Sequence, residues 1–208
     1  WRRDQLDVTD ENAISKLFSR LHADWGELNV LCANAGIAGP TAAVEETSLT
    51  EWRRCVSVNL EGAFLFSKHA VPLMKSQKSG VIILTSSTAG LYGFMHRGPY
   101  VSAKWGVIGL MKTLAIELGP FNIRANAICP GSVEGPRLDG VIEREAAAKG
   151  VHAEEIREAY AVGTSMRRLV SPADIANMAV FLASDAARLI SGQAIAVDGH
   201  TEHPEPKF

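Results

Sequence analysis

No apolar run in the 208 residues approaches the roughly 18 needed to span a membrane, and no basic-then-apolar leader of the kind that directs secretion is present. An excess of either charge is missing too. The 21 Lys and Arg against 23 Asp and Glu give a formal charge of -2, without the basic face that nucleic-acid binding requires. Cysteine is limited to Cys32, Cys55 and Cys129, an odd number whose spacing suits no zinc site. All three lie in or near apolar runs and are expected to be buried free thiols, Cys129 packed rather than reactive. These absences point to a soluble cytoplasmic protein with neither nucleic acid nor membrane as partner. Glycine is present, yet nowhere as a Gly-x-x-x-Gly-x-Gly turn, the device that cradles a pyrophosphate against a helix N-terminus.

What is there is 47% hydrophobic and long enough for one domain with a substantial core. The end of a strand is expected over Gln5 to Val8, then a helix capped by Thr9 or Asp10 with Ile14, Leu17, Phe18, Leu21 and Trp25 at helical spacing. Leu28 to Ala33 is a continuous apolar run of the sort buried on both faces of a parallel sheet. Helices are expected from about Thr50 and from Asn59 to about Lys75, a strand over Val81 to Ser86, and an apolar helix from Tyr100 to Leu118. A strand over Asn122 to Cys129 follows, then helical segments near Leu138 to Lys149 and Ala153 to Ala161. Ser171 and Pro172 start a helix running to about Ser184, and Gln193 to Val197 is the last strand. Alternating strands and helices imply βαβ units, hence an α/β fold with a doubly wound parallel sheet. Ligands of such sheets sit beyond the carboxyl ends of the strands, where Asp7, Asn34, Ser87 and Pro130-Gly131 fall.

One constellation carries chemistry. Tyr100 and Lys104 are four apart on a predicted helix, and Ser87 lies thirteen residues upstream. A phenol ionises near pH ~10, but an ammonium one turn away favours the phenolate and makes tyrosine a usable general acid or base. A serine hydroxyl at a strand end can hold a substrate oxygen meanwhile, which suits an alcohol and carbonyl pair. Taken alone the pair also fits a surface contact with a packed ring, and Ser86 and Ser87 both fit a turn.

The set in order, Asn34-Ala35-Gly36 after an apolar strand, Asn59, Ser87, Tyr100 with Lys104, Pro130-Gly131 and Ser191-Gly192-Gln193, resembles the short-chain dehydrogenase/reductase family in its single-domain branch. The resemblance runs from Asp7 to about Gly199. It implies a Rossmann-like domain and a nicotinamide-dependent oxidoreductase interconverting a secondary alcohol and a ketone, with NAD or NADP as cofactor. Tyr100 would be the general acid/base. Lys104 would lower its pKa and bind the nicotinamide ribose, Ser87 would orient the substrate oxygen, and Asn59 would help hold a water connecting Lys104 to solvent. Asp7 and Val8 would meet the adenine end, Asn34, Ala35 and Gly36 the central stretch, and Pro130, Gly131 and Val133 the nicotinamide.

The chain departs from the family at two places. Gly135 replaces the usual threonine after Pro-Gly, which leaves the grip on the nicotinamide open. The departure brings Glu134 and Arg137 into the variable substrate loop, where with His96, Arg97, Arg167 and Arg168 they suit either a polar or anionic substrate or plain solvated charge. The glycine-rich turn and the following strand, which separates NAD from NADP, are missing, so the chain is expected to be a fragment lacking the N-terminal βαβ unit, about 60 residues. A non-catalytic scaffold unable to bind dinucleotide is the alternative. The region from Leu138 to Arg168 reads as a lid, and the tail after Gly199 as extended. The family's subunit contacts imply a homodimer or homotetramer.

Overall fold

A computed structural model describes residues 2–203. Asp10 accepts the Ala13 amide and starts α1, Glu11–Trp25, which Gly26 ends at φ 75°, the left-handed conformation that glycine adopts without steric cost. Ile14 and Phe18, one turn apart, are its buried face. The chain continues through β1 (Val30–Ala33), α2 (Leu49–Val56), α3 (Gly62–Gln77), β2 (Gly80–Thr85), α4 (Gly98–Leu118) and β3 (Ile123–Pro130). It closes with α5 (Pro136–Lys149), α6 (Ala153–Val162), α7 (Pro172–Ala183) and β4 (Ala194–Val197). The α7 start is a reciprocal cap, Ser171 accepting the Asp174 amide while Asp174 accepts the Ser171 amide.

The strands pair in the order β1-β2-β3-β4, all parallel. Side chains alternate across β2, so Ile82 and Leu84 face a core shared with α1, α3 and α4. Val81 and Ile83 face the opposite way, onto Ile175, Met178 and Leu182 of α7. Helices therefore cover both faces, as expected of a Rossmann-like α/β domain. Because the strands are parallel, their carboxyl ends share one rim, and the loops carrying Asn34, Ser87, Gly131 and Asp198 open there.

Three expectations are corrected. Gln5 to Val8 is not a strand: β1 pairs only with β2 among the described residues, and the segment instead turns into α1 with Thr9 bound to Asp7. The Leu28 to Ala33 run is not buried on both faces. Leu31 enters the core, but Val30 and Cys32 are exposed because the α7 cluster reaches β2 and β3 and not β1. Cys32 is accordingly an exposed thiol, whereas Cys55 and Cys129 are buried. At the start of the tail Thr201 bridges Thr164 antiparallel, and Pro204 and Pro206 lie outside the described residues. No helix among the described residues is long and apolar enough to cross a membrane.

Candidate active site

Pro99 at the start of α4 fixes the first turn, and Tyr100 follows as its third residue, buried. Lys104 stands one turn further on and is 2 % exposed. Its Nζ donates to the Thr85 carbonyl at 2.7 Å and lies 5.6 Å from the Tyr100 ring centroid. The α4 helix is thus tied to the end of β2 through the ammonium group.

The two candidate serines have separate tasks. Ser86 is buried and its Oγ donates to the Lys104 carbonyl at 2.8 Å, holding α4 against the strand end. Ser87 caps the short turn Thr88–Gly90, accepting the Ala89 amide at 3.1 Å, and lines the same cleft as Tyr100. Burial opposes ionisation of the Tyr100 phenol. Lys104, Arg137, the nearby Ser87 hydroxyl and Arg97 together outweigh it and set the Tyr100 pKa below that of an ordinary phenol. Burial pulls Lys104 below the usual lysine value, against the opposing pull of Tyr100.

Asn59 lies in a single wide turn, Ser57–Glu61, between α2 and α3, the type of helix irregularity that turns a side chain inward. Its Nδ2 donates to the Cys55 carbonyl at 2.9 Å and the Ile37 carbonyl at 3.1 Å. Its Oδ1 is buried without a protein partner. A Cβ on Gly36 would come 2.6 Å from that oxygen and 3.6 Å from Lys104 Nζ, so both polar ends converge on the glycine. Sequence reasoning placed Gly36 near a ligand; the structure shows it is needed first to admit Asn59.

A cleft of about 620 Å³ runs along the rim, its floor formed by Asn34, Thr85, Ser87, Tyr100, Pro130 and Gly131. Val133 lines it as well, held by a parallel bridge to Val170. A smaller depression of about 80 Å³ is lined by Val8, Ala35 and again Asn34, next to Gly62. Asp7 lines neither. Its carboxylate accepts the Thr9 amide and hydroxyl, bonds that hold its pKa below the usual carboxylate value. Gly135 adopts φ 132° and ψ 176°, a conformation that L side chains rarely take, so a threonine there would not fit the present backbone.

Sequence reasoning left four contacts unseen. Asn34 Oδ1 accepts the Thr85 hydroxyl at 3.0 Å, tying the ends of β1 and β2. Arg137 Nη2 donates to the Tyr100 hydroxyl at 3.2 Å, and the Arg97 guanidinium lies 5.1 Å from the Tyr100 ring centroid. Tyr160, from α6, donates to Glu145 of α5 at 2.7 Å and joins the two helices. Arg137 is 37 residues from Tyr100 and Tyr160 is 15 from Glu145, and no local pattern marks such meetings.

The cleft suits an extended ligand laid across strand ends; a tyrosine of lowered pKa lines it, and the buried ammonium of Lys104 and the orphaned amide oxygen of Asn59 lie behind that lining, next to Gly36. Residues 4–200 match the family model described as Enoyl-(Acyl carrier protein) reductase. The chain is 37% identical over 199 residues to cis-4-hydroxycyclohexanecarboxylate dehydrogenase of Sinomonas cyclohexanicum, spanning 96% of this chain and 75% of that one. Among solved structures, NAD+-bound xylitol dehydrogenase superposes with a TM-score of 0.89 at 29% identity, over 93% of this chain and 76% of that one. ElxO with NADP bound superposes with a TM-score of 0.84 at 30% identity, over 94% and 76%. Fold and site define an α/β oxidoreductase. Within that class, the chain belongs to the short-chain dehydrogenase/reductase family.

Proposed function

We propose that the protein interconverts a small secondary alcohol and its ketone with NAD or NADP, Tyr100 acting as general acid and base. The observation that carries this reading is the buried Tyr100 hydroxyl, bonded by Arg137 and made more acidic by Lys104 and Arg137 against the cost of burial. In the oxidising direction the Tyr100 phenolate accepts the proton of the substrate hydroxyl, and in the reducing direction the phenol returns it. Ser87 donates to the same substrate oxygen and fixes its position. The nicotinamide, when bound, supplies the hydride exchange with the substrate carbon. Lys104 stabilises the phenolate, and its buried ammonium is also available to the nicotinamide ribose. Asn59 Oδ1, converging with Lys104 on Gly36, is placed to hold a water that carries protons to solvent.

For the cofactor, we assign Val8, Asn34, Ala35 and Gly36 to the adenine side and the central stretch, and Pro130, Gly131 and Val133 to the nicotinamide side. Asp7 contributes there through the turn it builds with Thr9. The relatives named for secondary alcohols and for bound NAD+ or NADP support this reading. We assign the exposed apolar residues Phe64, Trp105 and Ile116 of α3 and α4 to contacts between copies, giving a homodimer or homotetramer. The test is titration of the full-length protein with NADH and NADPH, followed by nicotinamide fluorescence, and then an assay on small secondary alcohols. Saturable binding of one nucleotide and alcohol-dependent reduction of its oxidised form are expected. Failure to bind either would overturn the proposal in favour of a non-catalytic scaffold.

A further inference from the structure

Two arginines beside Tyr100 lower its pKa, but that effect does not account for their place without a counter-ion on the wall of the cleft. Arg97, the residue before α4, keeps its guanidinium 5.1 Å from the Tyr100 ring centroid, and Arg137, in the first turn of α5, keeps its own at 5.7 Å. Both line the large cleft. Among the described residues neither has a carboxylate within ion-pair distance, although Arg157 is paired with Asp139 and Arg167 with Glu202. Arg97 is anchored by one bond, Nη2 to the Ala38 carbonyl at 2.9 Å, and its Nε is buried without a partner. Burial pulls the Arg97 pKa down, and Arg137 and Arg144 add like-charge repulsion against the opposing pull of Tyr100 and Tyr160.

The carboxylates nearby do not compensate. Glu145 lines the cleft but accepts from Lys149 Nζ at 2.6 Å and from the Tyr160 hydroxyl at 2.7 Å. Glu134, the other acidic residue of the lining, makes no ion pair with either arginine. Arg97 is half-buried with its Nε unpartnered, and a guanidinium so placed is costly unless an anion from outside completes it; Arg137, exposed on the same cleft wall, adds a second cation beside it. Their forked donors match the oxygens of a carboxylate or phosphate.

We propose that Arg97 and Arg137 form an oxyanion subsite next to Tyr100, so that the substrate is a small alcohol or ketone carrying a carboxylate or phosphate. This rests on the secondary-alcohol reading above. The anion draws Arg137 from the Tyr100 hydroxyl, which leaves that oxygen free for the substrate hydroxyl. Because both arginines adjoin one tyrosine ring, the anion and the reacting carbon belong to the same short chain or ring.

The test is steady-state oxidation by the full-length protein with its preferred nucleotide, using 3-hydroxybutanoate, its neutral amide 3-hydroxybutanamide, glycerol 3-phosphate and propane-1,2-diol. The ratio of kcat/KM for an acid over its neutral counterpart is the readout, since any effect of the arginines on Tyr100 itself cancels in it. At least a tenfold preference for the carboxylate or the phosphate is expected, and whichever is larger identifies the anion. In Arg97→Met and in Arg137→Met the ratio should fall toward one. Competitive inhibition by butanoate and not by butanamide is expected of the unaltered protein and requires no variant to fold. Equal turnover of acid and amide, or a ratio that both variants retain, would overturn the subsite while leaving the oxidoreductase reading intact. Turnover of none of the four with either nucleotide would count against the oxidoreductase reading and the subsite together.

Discussion

Tyr100, the proposed proton-exchanging group, shows how position changes the acidity of an ordinary side chain. Desolvation alone would raise its pKa, and the sign is reversed by cations that arrive from three different places: Lys104 on the same helix, Arg97 before it and Arg137 on α5. The consequence is a pH dependence of definite sign. A lowered pKa means the phenolate exists at lower pH, so alcohol oxidation, which needs the base, is lost as pH falls through that lowered value. Ketone reduction, which needs the phenol, is lost as pH rises through it. A kcat/KM profile for oxidation should therefore show its limb below the ~10 of a free phenol; a limb at or above that value would contradict the assigned environment. At this scale the Tyr100 and Lys104 spacing was legible because a helix turn brings neighbours four apart together. The choice between Ser86 and Ser87 had only spacing behind it, and the structure separates them: Ser86 is bonded to the α4 backbone, whereas Ser87 caps the next turn with its hydroxyl near enough to Tyr100 to lower its pKa. The approach of Arg137 was illegible, since nothing local encodes a contact across 37 residues.

Elements with local punctuation were readable in advance. Asp10, Gly26, Ser171 and Pro172 mark helix ends by capping chemistry that acts within a turn, and the structure keeps them. Gln5 to Val8 failed for the opposite reason: a strand exists only against a neighbour, and β1 supplies no pairing to that segment. Burial of β1 failed likewise, because whether Cys32 is covered depends on where α7 lies. The β3 end illustrates how tightly the rim is built. A Cβ on Gly131 would stand 2.8 Å from Asp198 Cβ and 2.9 Å from its Cα, and the second contact is backbone. Gly131→Ala should lower stability by about 1–3 kcal/mol through overpacking between β3 and the segment after β4. An unchanged midpoint in denaturant-induced unfolding would show that the two ends yield without cost.

The whole molecule turns these local facts into a site because a parallel sheet gathers every strand's carboxyl end on one edge. That arrangement was inferable from the alternation of strand and helix patterns. The Rossmann-like class follows from it, whereas the lid contacts of α5 and α6 do not. At this scale the exposed apolar residues of α3 and α4 predict association, so light scattering should give a mass of two or four chains; a monomer independent of concentration would contradict it. The proposed chemistry rests on Tyr100 as the proton-exchanging group. The most direct measurement is alcohol-dependent NAD+ or NADP+ reduction by the full-length protein and by its Tyr100→Phe variant, with nucleotide binding measured on both. Loss of turnover by at least the order of 100-fold expected of a general acid/base, with binding kept, is the predicted result. Undiminished turnover in the phenylalanine variant would contradict the mechanism.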